Sequence, residues 1–273
     1  MSPITVAAVQ LTSTDDVAQN LSRCRALVTE AVAAGADFVG LPENFAFLGS
    51  DRDHRAAIAE STADDAAGPI LSDMRELARS TGAWLLLGGF PEQGFRPGSI
   101  RNASVLLNPA GAIVARYRKM HLFDVDVPGG MQFRESESVD GGGDVVLAET
   151  PWGGLGLTIC YDVRFPELYR ELTARGARLL AVPSAFTRET GKDHWHLLLR
   201  ARAVENQAYV IAPAQFGWHG GKRFSYGHAL IADPWGVVLA ECGDHEGFAL
   251  ARLDFAYQDR VRSNLPVLRH RKL

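Results

Sequence analysis

The chain has 273 residues, with 28 Lys and Arg against 32 Asp and Glu and a formal net charge of −4. Its 47% hydrophobic, 22% charged composition is that of an ordinary globule and argues against long disordered tails. The slightly acidic balance lacks the basic stripe of a nucleic-acid binder, and no apolar run reaches the roughly 20 residues that cross a bilayer. Neither nucleic acid nor membrane is therefore an expected partner. Length gives a prior between one and two domains, and residues 1–273 read as a single domain, since the only linker-like stretch, Asp124 to Gly143, is too short to separate two. Cys24, Cys160 and Cys242 are odd in number and widely spaced, as expected of a reducing compartment and not of a disulfide scaffold or four-thiolate zinc site. From Met1 to Val6 there is no basic segment leading into an apolar one, so no signal peptide is predicted and the cytoplasm is the expected location.

In chain order, Thr5 to Gln10 reads as a buried strand. Asp15 and Asp16 then supply cap chemistry for a helix whose apolar positions Val17, Leu21, Cys24, Val28 and Ala31 recur at steps of three and four, and Gly35 ends it. Phe38 to Leu41 is a second strand leading into Pro42 and Glu43, a βαβ-like opening. A helix from Pro69 to Arg79 and a strand from Trp84 to Gly88 follow. Hairpin grammar then takes over: Val105–Leu107 with Ile113–Tyr117, Val145–Leu147 with Leu155–Ile159, and Ala229–Ile231 with Val237–Leu239. Between them lie helices from Pro166 to Arg175 and from His194 to Gln207. The pattern predicts an α/β fold with mixed sheets packed in layers and helices outside.

Several familiar sites are missing. Gly221-Lys222-Arg223 and Gly191-Lys192-Asp193 lack the upstream glycine and Ser/Thr of a phosphate-cradling loop. Ser225 lacks the first glycine of a hydrolase elbow. Gly153, Gly154 and Gly156 fall inside a hairpin, and His245-Glu246 has no second histidine at the metalloprotease offset. The positive signal is Cys160, at the end of the strand Leu155–Ile159 and just before a helix. A nucleophile there is rigidly held, although a small core hydrophobe is the commoner fate of a buried cysteine. Glu43 occupies a similar strand end, where a half-buried carboxylate with a raised pKa would suit proton transfer; capping a loop is the plain alternative. Lys119, after Ile113–Tyr117, can offer an ammonium to an oxyanion or be a solvated lysine beside Arg116 and Arg118.

Together, Leu41-Pro42-Glu43, the run Tyr117-Arg118-Lys119-Met120-His121-Leu122-Phe123-Asp124, and Ile159-Cys160-Tyr161-Asp162-Val163-Arg164-Phe165-Pro166-Glu167 resemble the nitrilase superfamily of carbon–nitrogen hydrolases. Nearly the whole chain shares the resemblance. It implies a single-domain four-layer α-β-β-α sandwich, a Glu43-Lys119-Cys160 triad, no metal or other cofactor, and homodimers or larger homo-oligomers formed through a helical layer. A second glutamate of the family is matched by Glu135, with Glu137 in a repeat of the same pattern two residues later. Pro183 to Thr187, His194-Trp195, and Leu198 to Gln207 resemble the group containing deaminated glutathione amidase and ω-amidase. Lys222 to His228 and Asp233 to Gly236 lean to the former, and the loop Phe123 to Gly129 to the latter.

The resemblance implies a small-molecule amide substrate. Cys160 would attack, Glu43 would transfer the proton, and Lys119 with the Tyr161 backbone N–H would stabilise the oxyanion. Arg164, Phe186 and Thr187 are the expected substrate contacts, Arg164 with an ion pair to Asp162 or Glu167 as its alternative. Histidines 121, 219 and 228 are expected to be hydrogen-bonding or structural residues, and His194 and His196 point to different helix faces. Leu197-Leu198-Leu199 fits either a surface that pairs with a copy of the chain or a buried core face.

Overall fold

The computed structural model describes residues 2–49, 52–63, 67–127, 131–220 and 223–272. Gly221 and Lys222 of the rejected phosphate loop, and Pro128-Gly129 of the ω-amidase-like loop, lie outside them.

Strand Ile4–Leu11 is buried on both faces, so it reads as one apolar run, and its side chains divide by parity. Ile4, Val6 and Ala8 join Phe38, Leu86, Leu106 and Tyr117 in a core shared with Leu155, Leu157 and Leu179 of a second sheet. Ala7, Val9 and Leu11 turn the other way with Val39, Leu85 and Val105. There they meet Cys24, Val28 and Ala31 of the helix Val17–Ala33 and Ile70, Met74 and Leu77 of the helix Pro69–Thr81. The first sheet runs Arg223–Tyr226, Ala214–His219, Ile4–Leu11, Phe38–Gly40, Trp84–Gln93, Ile100–Leu107, Ile113–Arg118, with Gly247–Leu253 also antiparallel to Ile4–Leu11. The second runs Val238–Glu241, Leu230–Ala232, Tyr209–Ala212, Ala177–Ala181, Gly153–Leu157, Leu147–Thr150. Helices Pro166–Ala174 and Arg188–Asn206 cover it through Leu168, Tyr169, Leu172, Trp195 and Leu199. The layers are therefore helix, sheet, sheet, helix, as the resemblance implied.

Strand direction gathers the site. Phe38–Gly40 is parallel to Trp84–Gln93, and Gly153–Leu157 is parallel to Ala177–Ala181, so the chain leaves each pair at one rim. Ile113–Arg118 reaches its sheet through two antiparallel reversals, which restore the direction of Trp84–Gln93 and deliver Lys119 to the same end.

Local signals fix most boundaries. Asp16 caps the first helix by accepting from Gln19 N at 3.0 Å, and Gly35 follows it at φ +98°. The helix expected from His194 starts earlier, at Arg188, because Thr187 takes the extended cap conformation. Its first two turns are polar, which concealed them from an apolar period. The stretch from Asp124 holds a hairpin, Asp124–Val127 with Met131–Arg134, and a 3₁₀ turn Glu135–Glu137. The helix Phe255–Asn264, unread in the sequence, buries Phe255, Gln258 and Val261. Among the described residues no helix is long and apolar enough to cross a membrane.

Leu106 lies wholly buried between the sheets. Leu106→Ala is expected to lower unfolding free energy by about 2–5 kcal/mol, measured by urea denaturation.

Candidate active site

After Phe38–Gly40 the chain continues as Leu41-Pro42-Glu43-Asn44, and Glu43 turns into the molecule with 3% of its surface exposed. Its Oε1 accepts from Lys119 Nζ at 3.0 Å and Asn102 Nδ2 at 2.8 Å, and its Oε2 from the Ala185 amide at 2.9 Å. The neighbouring strand makes room for it. Register shifts between Leu87 and Phe90, and Gly89, at φ +64°, has no space for a side chain. A Cβ there would lie 2.5 Å from Asn44 N and 2.9 Å from Glu43 Cα.

Lys119 is buried, and its Nζ bridges Glu43 to Glu135 Oε2 at 2.8 Å. Glu135 also accepts from Phe123 N at 2.7 Å and from Asn102 Nδ2 at 3.2 Å, whereas Glu137 is exposed. The structure thus brings Glu135, and not Glu137, onto Lys119. Asn102 was not singled out in the sequence. Its signal is a carboxamide in the buried strand Ile100–Leu107, where an amide needs a dedicated partner.

Cys160 begins a 3₁₀ turn, Cys160–Arg164, with its backbone in the left-handed region at φ 48°. Such backbone strain in a non-glycine residue persists only where the surroundings impose it. Here Cys160 N donates to Pro183 O at 2.9 Å, and buried Asp162 holds the turn from within. Asp162 accepts from Ile159 N (2.8 Å), Tyr117 OH (2.7 Å) and both His121 N (3.1 Å) and His121 Nδ1 (2.8 Å). One carboxylate therefore ties the Cys160 turn to the strand end that carries Lys119. The amide of Tyr161, second in the turn, is one that the turn itself cannot satisfy.

Cys160, Glu43, Lys119 and Glu135 share a cavity of about 460 Å³ whose wall also includes Tyr161, Phe186 and Thr187. Arg164 does not line it. Its guanidinium lies over the rings of Tyr161 (5.9 Å) and Phe186 (5.2 Å) and 3.4 Å from His194 Nδ1, one layer behind the wall. Asp162, one expected alternative partner for Arg164, is instead taken by Tyr117 and His121. Among the histidines, His121 bonds Asp162, His219 Nδ1 bonds Ser13 O at 2.8 Å, and His196 and His228 both bond Glu241 Oε1, at 2.9 and 2.7 Å.

The electrostatics correct one expectation. Burial alone would raise Glu43, as the sequence reading held, but the charges of Lys119 and Arg223 outweigh it and hold the carboxyl below its ordinary range. Lys119 goes the other way: burial opposes its charge, and Glu135 and Glu43 more than restore it. The Cys160 thiol is raised by burial and by Glu43, against a smaller pull from Lys119. The cavity thus holds an ionised carboxylate, an ammonium and a protonated thiol. Such a set can add sulfur to a carbonyl while passing the thiol proton to a carboxylate. His219 is pulled down to about 4 by burial, with Arg223 also lowering it, and is neutral at pH 7.

The carbon–nitrogen hydrolase family matches residues 5–263, and the chain belongs to that family; it is a hydrolase of carbon–nitrogen bonds. Deaminated glutathione amidase of Synechocystis sp. is 46% identical over 275 residues, covering 99% of each chain. That of Bos taurus is 45% identical over 271 residues, 98% of this chain and 81% of the relative. Among solved structures, Nit3 of Saccharomyces cerevisiae, a member of branch 10 of the nitrilase superfamily, superposes with a TM-score of 0.88 at 32% identity, over 97% of this chain and 95% of that one. A mutant of the amidase from Nesterenkonia sp. AN1, with acrylamide added at its active-site cysteine, does so with a TM-score of 0.78 at 27% identity, over 96% and 98%.

Gly89→Ala is expected to push Glu43 out of place and lower kcat about 100-fold, as ångström-scale misplacement does; an unchanged kcat would contradict the close approach. Glu43, depressed in the native state, contributes stability that is present above its ordinary value of 4.5 and is lost as pH falls below it. The urea midpoint of the wild type should therefore fall more steeply below pH 4.5 than that of Glu43→Gln.

Proposed function

We propose that the chain hydrolyses the amide of deaminated glutathione to 2-oxoglutarate and cysteinylglycine through a thioester on Cys160. The observation that carries the chemistry is that the buried Cys160 thiol shares one cavity with a Glu43 carboxylate that accepts from Lys119 Nζ at 3.0 Å. The substrate is supported by the full-length likeness to two enzymes of that name.

Sulfur adds to the amide carbonyl as the thiol proton passes to Glu43. The neutral thiol makes this order the easier one, because no free thiolate has to stand beside Glu43 beforehand. Lys119 Nζ and the Tyr161 amide receive the developing oxyanion; losing one such donor typically costs about 10²–10³ in rate. The tetrahedral adduct collapses, the C–N bond breaks, and the departing nitrogen takes the proton from Glu43. Water, losing its proton to Glu43, then cleaves the thioester, and that proton returns to sulfur. Glu135 positions Lys119 throughout. Phe186 and Thr187 form substrate wall. Arg164, stacked behind Tyr161 and Phe186 with both Nη atoms 3.4 Å from His194 Nδ1, backs that wall and does not reach the cavity.

The enzyme is proposed to be cytoplasmic and a homo-oligomer. For the second point, Leu197 on the outer helix is 66% exposed and Trp235 56% exposed. Arg200 Nε, bonded to Gly236 O at 2.7 Å, holds that helix against the Trp235 turn.

Wild type exposed briefly to deaminated glutathione should show an acyl adduct on Cys160 by mass spectrometry, and Cys160→Ala should lose turnover to background with an unchanged melting temperature. Turnover retained in Cys160→Ala would overturn the mechanism. A clear wild-type preference for 2-oxoglutaramate would overturn the substrate.

A further inference from the structure

Two guanidinium groups line the cavity without a carboxylate of their own. Arg223 donates from Nη2 to Ala185 O at 2.7 Å and lies over the Phe133 ring at 5.4 Å, while its buried Nε has no hydrogen-bond partner. Half-buried Arg55 donates from Nη2 to Asn44 Oδ1 at 2.8 Å. Among the described residues no carboxylate lies within 4 Å of either guanidinium, since Glu43 and Glu135 are both engaged by Lys119. Counting Lys119, Arg55 and Arg223 against Glu43 and Glu135 leaves the cavity one positive charge in surplus; Arg134, also on its wall, is paired with Asp126 at 2.8 Å.

A desolvated cation without a counter-ion is costly, and the guanidinium fork matches a carboxylate in geometry. The direction in which that carboxylate lies follows from the general acid. Both arginines are anchored on residues touching Glu43: Asn44 is its neighbour in the chain, and Ala185 donates to its Oε2. Glu43 is the group that protonates the departing nitrogen, so the leaving half of the substrate extends toward them. Arg164 lies instead against Tyr161 and Phe186.

We infer that Arg55 and Arg223 form a subsite for a carboxylate on the leaving-amine half of the substrate, which under the proposed function is the glycine carboxylate of cysteinylglycine. This assignment rests on that function. It also gives a physical reason for preferring a dipeptide leaving group to ammonia, which would leave both guanidiniums unpaired.

The test compares kcat/KM for deaminated glutathione with that for its analogue ending in glycinamide. Wild type is expected to favour the carboxylate by about 10- to 100-fold, the range of a charge-assisted hydrogen bond. Arg55→Met should bring the ratio toward one, chiefly through KM, and Arg55→Lys should keep part of it. Both arginines feel the charge of Glu43, but Arg223 also holds the carbonyl of Ala185, whose amide binds Glu43, so Arg55 carries the test and its effect is read in KM. As a check needing no variant, cysteinylglycine should inhibit the wild type more tightly than cysteinylglycinamide. A wild-type ratio near one, or a ratio untouched by Arg55→Met, overturns the subsite while leaving the substrate assignment intact. Failure of wild type to cleave deaminated glutathione while it consumes 2-oxoglutaramate overturns the substrate assignment and the subsite with it.

Discussion

The ammonium of Lys119 sits out of water between two carboxylates, and the rest of the site is arranged around keeping it there. Desolvating each ion costs several kcal/mol even after relaxation, so such a group survives only with close partners. Glu43 at 3.0 Å and Glu135 at 2.8 Å are those partners, and Asn102 spans both. The consequence reaches the sulfur. An ionised Glu43 makes a second negative charge beside it unfavourable, so the resting thiol keeps its proton. The nucleophile in the proposed reaction is formed as it is used, with its base already charged.

Holding three strand ends in register to this degree is a packing problem, and Asp162 addresses much of it. Buried, with four hydrogen bonds, it shapes the Cys160 turn and grips Tyr117 and His121 on either side of Lys119. Movement of the sulfur relative to the ammonium would break bonds to a buried carboxylate, which is strongly destabilising. Beside Glu43, Gly88 and Gly89 let a strand pass close to the Leu41–Asn44 segment; a Cβ at Gly88 would lie 2.4 Å from Leu41 O. Carboxylate hub and glycine gap do the same work by different means: both fix positions without asking flexible side chains to hold them.

Chemistry and recognition are divided between elements accordingly. The groups proposed to act on the scissile bond come from strand ends and the turns beside them, where backbone hydrogen bonding limits motion. Groups that face the remainder of the cavity come from a short helix (Arg55), an edge strand (Arg223) and a hairpin (Phe133). Elements of this second kind can change between relatives without disturbing the first, which is how one scaffold serves many amides.

Much of this was legible before any coordinates. The buried strand from Thr5 to Gln10, the caps at Asp16 and Gly35, and the hairpin turns follow from local physics, and each strand end displayed its chemical residue in line. What the sequence could not settle was nonlocal. The sign of the Glu43 shift depends on cations 76 and 180 residues away, and the choice of Glu135 over Glu137 on which carboxylate reaches Lys119. Asp162, Arg55 and Arg223 carry no local mark that separates them from ordinary polar residues. Residue type and period determine which segments become strands and which groups are available; distance and desolvation, which exist only after the sheets have stacked, decide what charge those groups bear and what they meet.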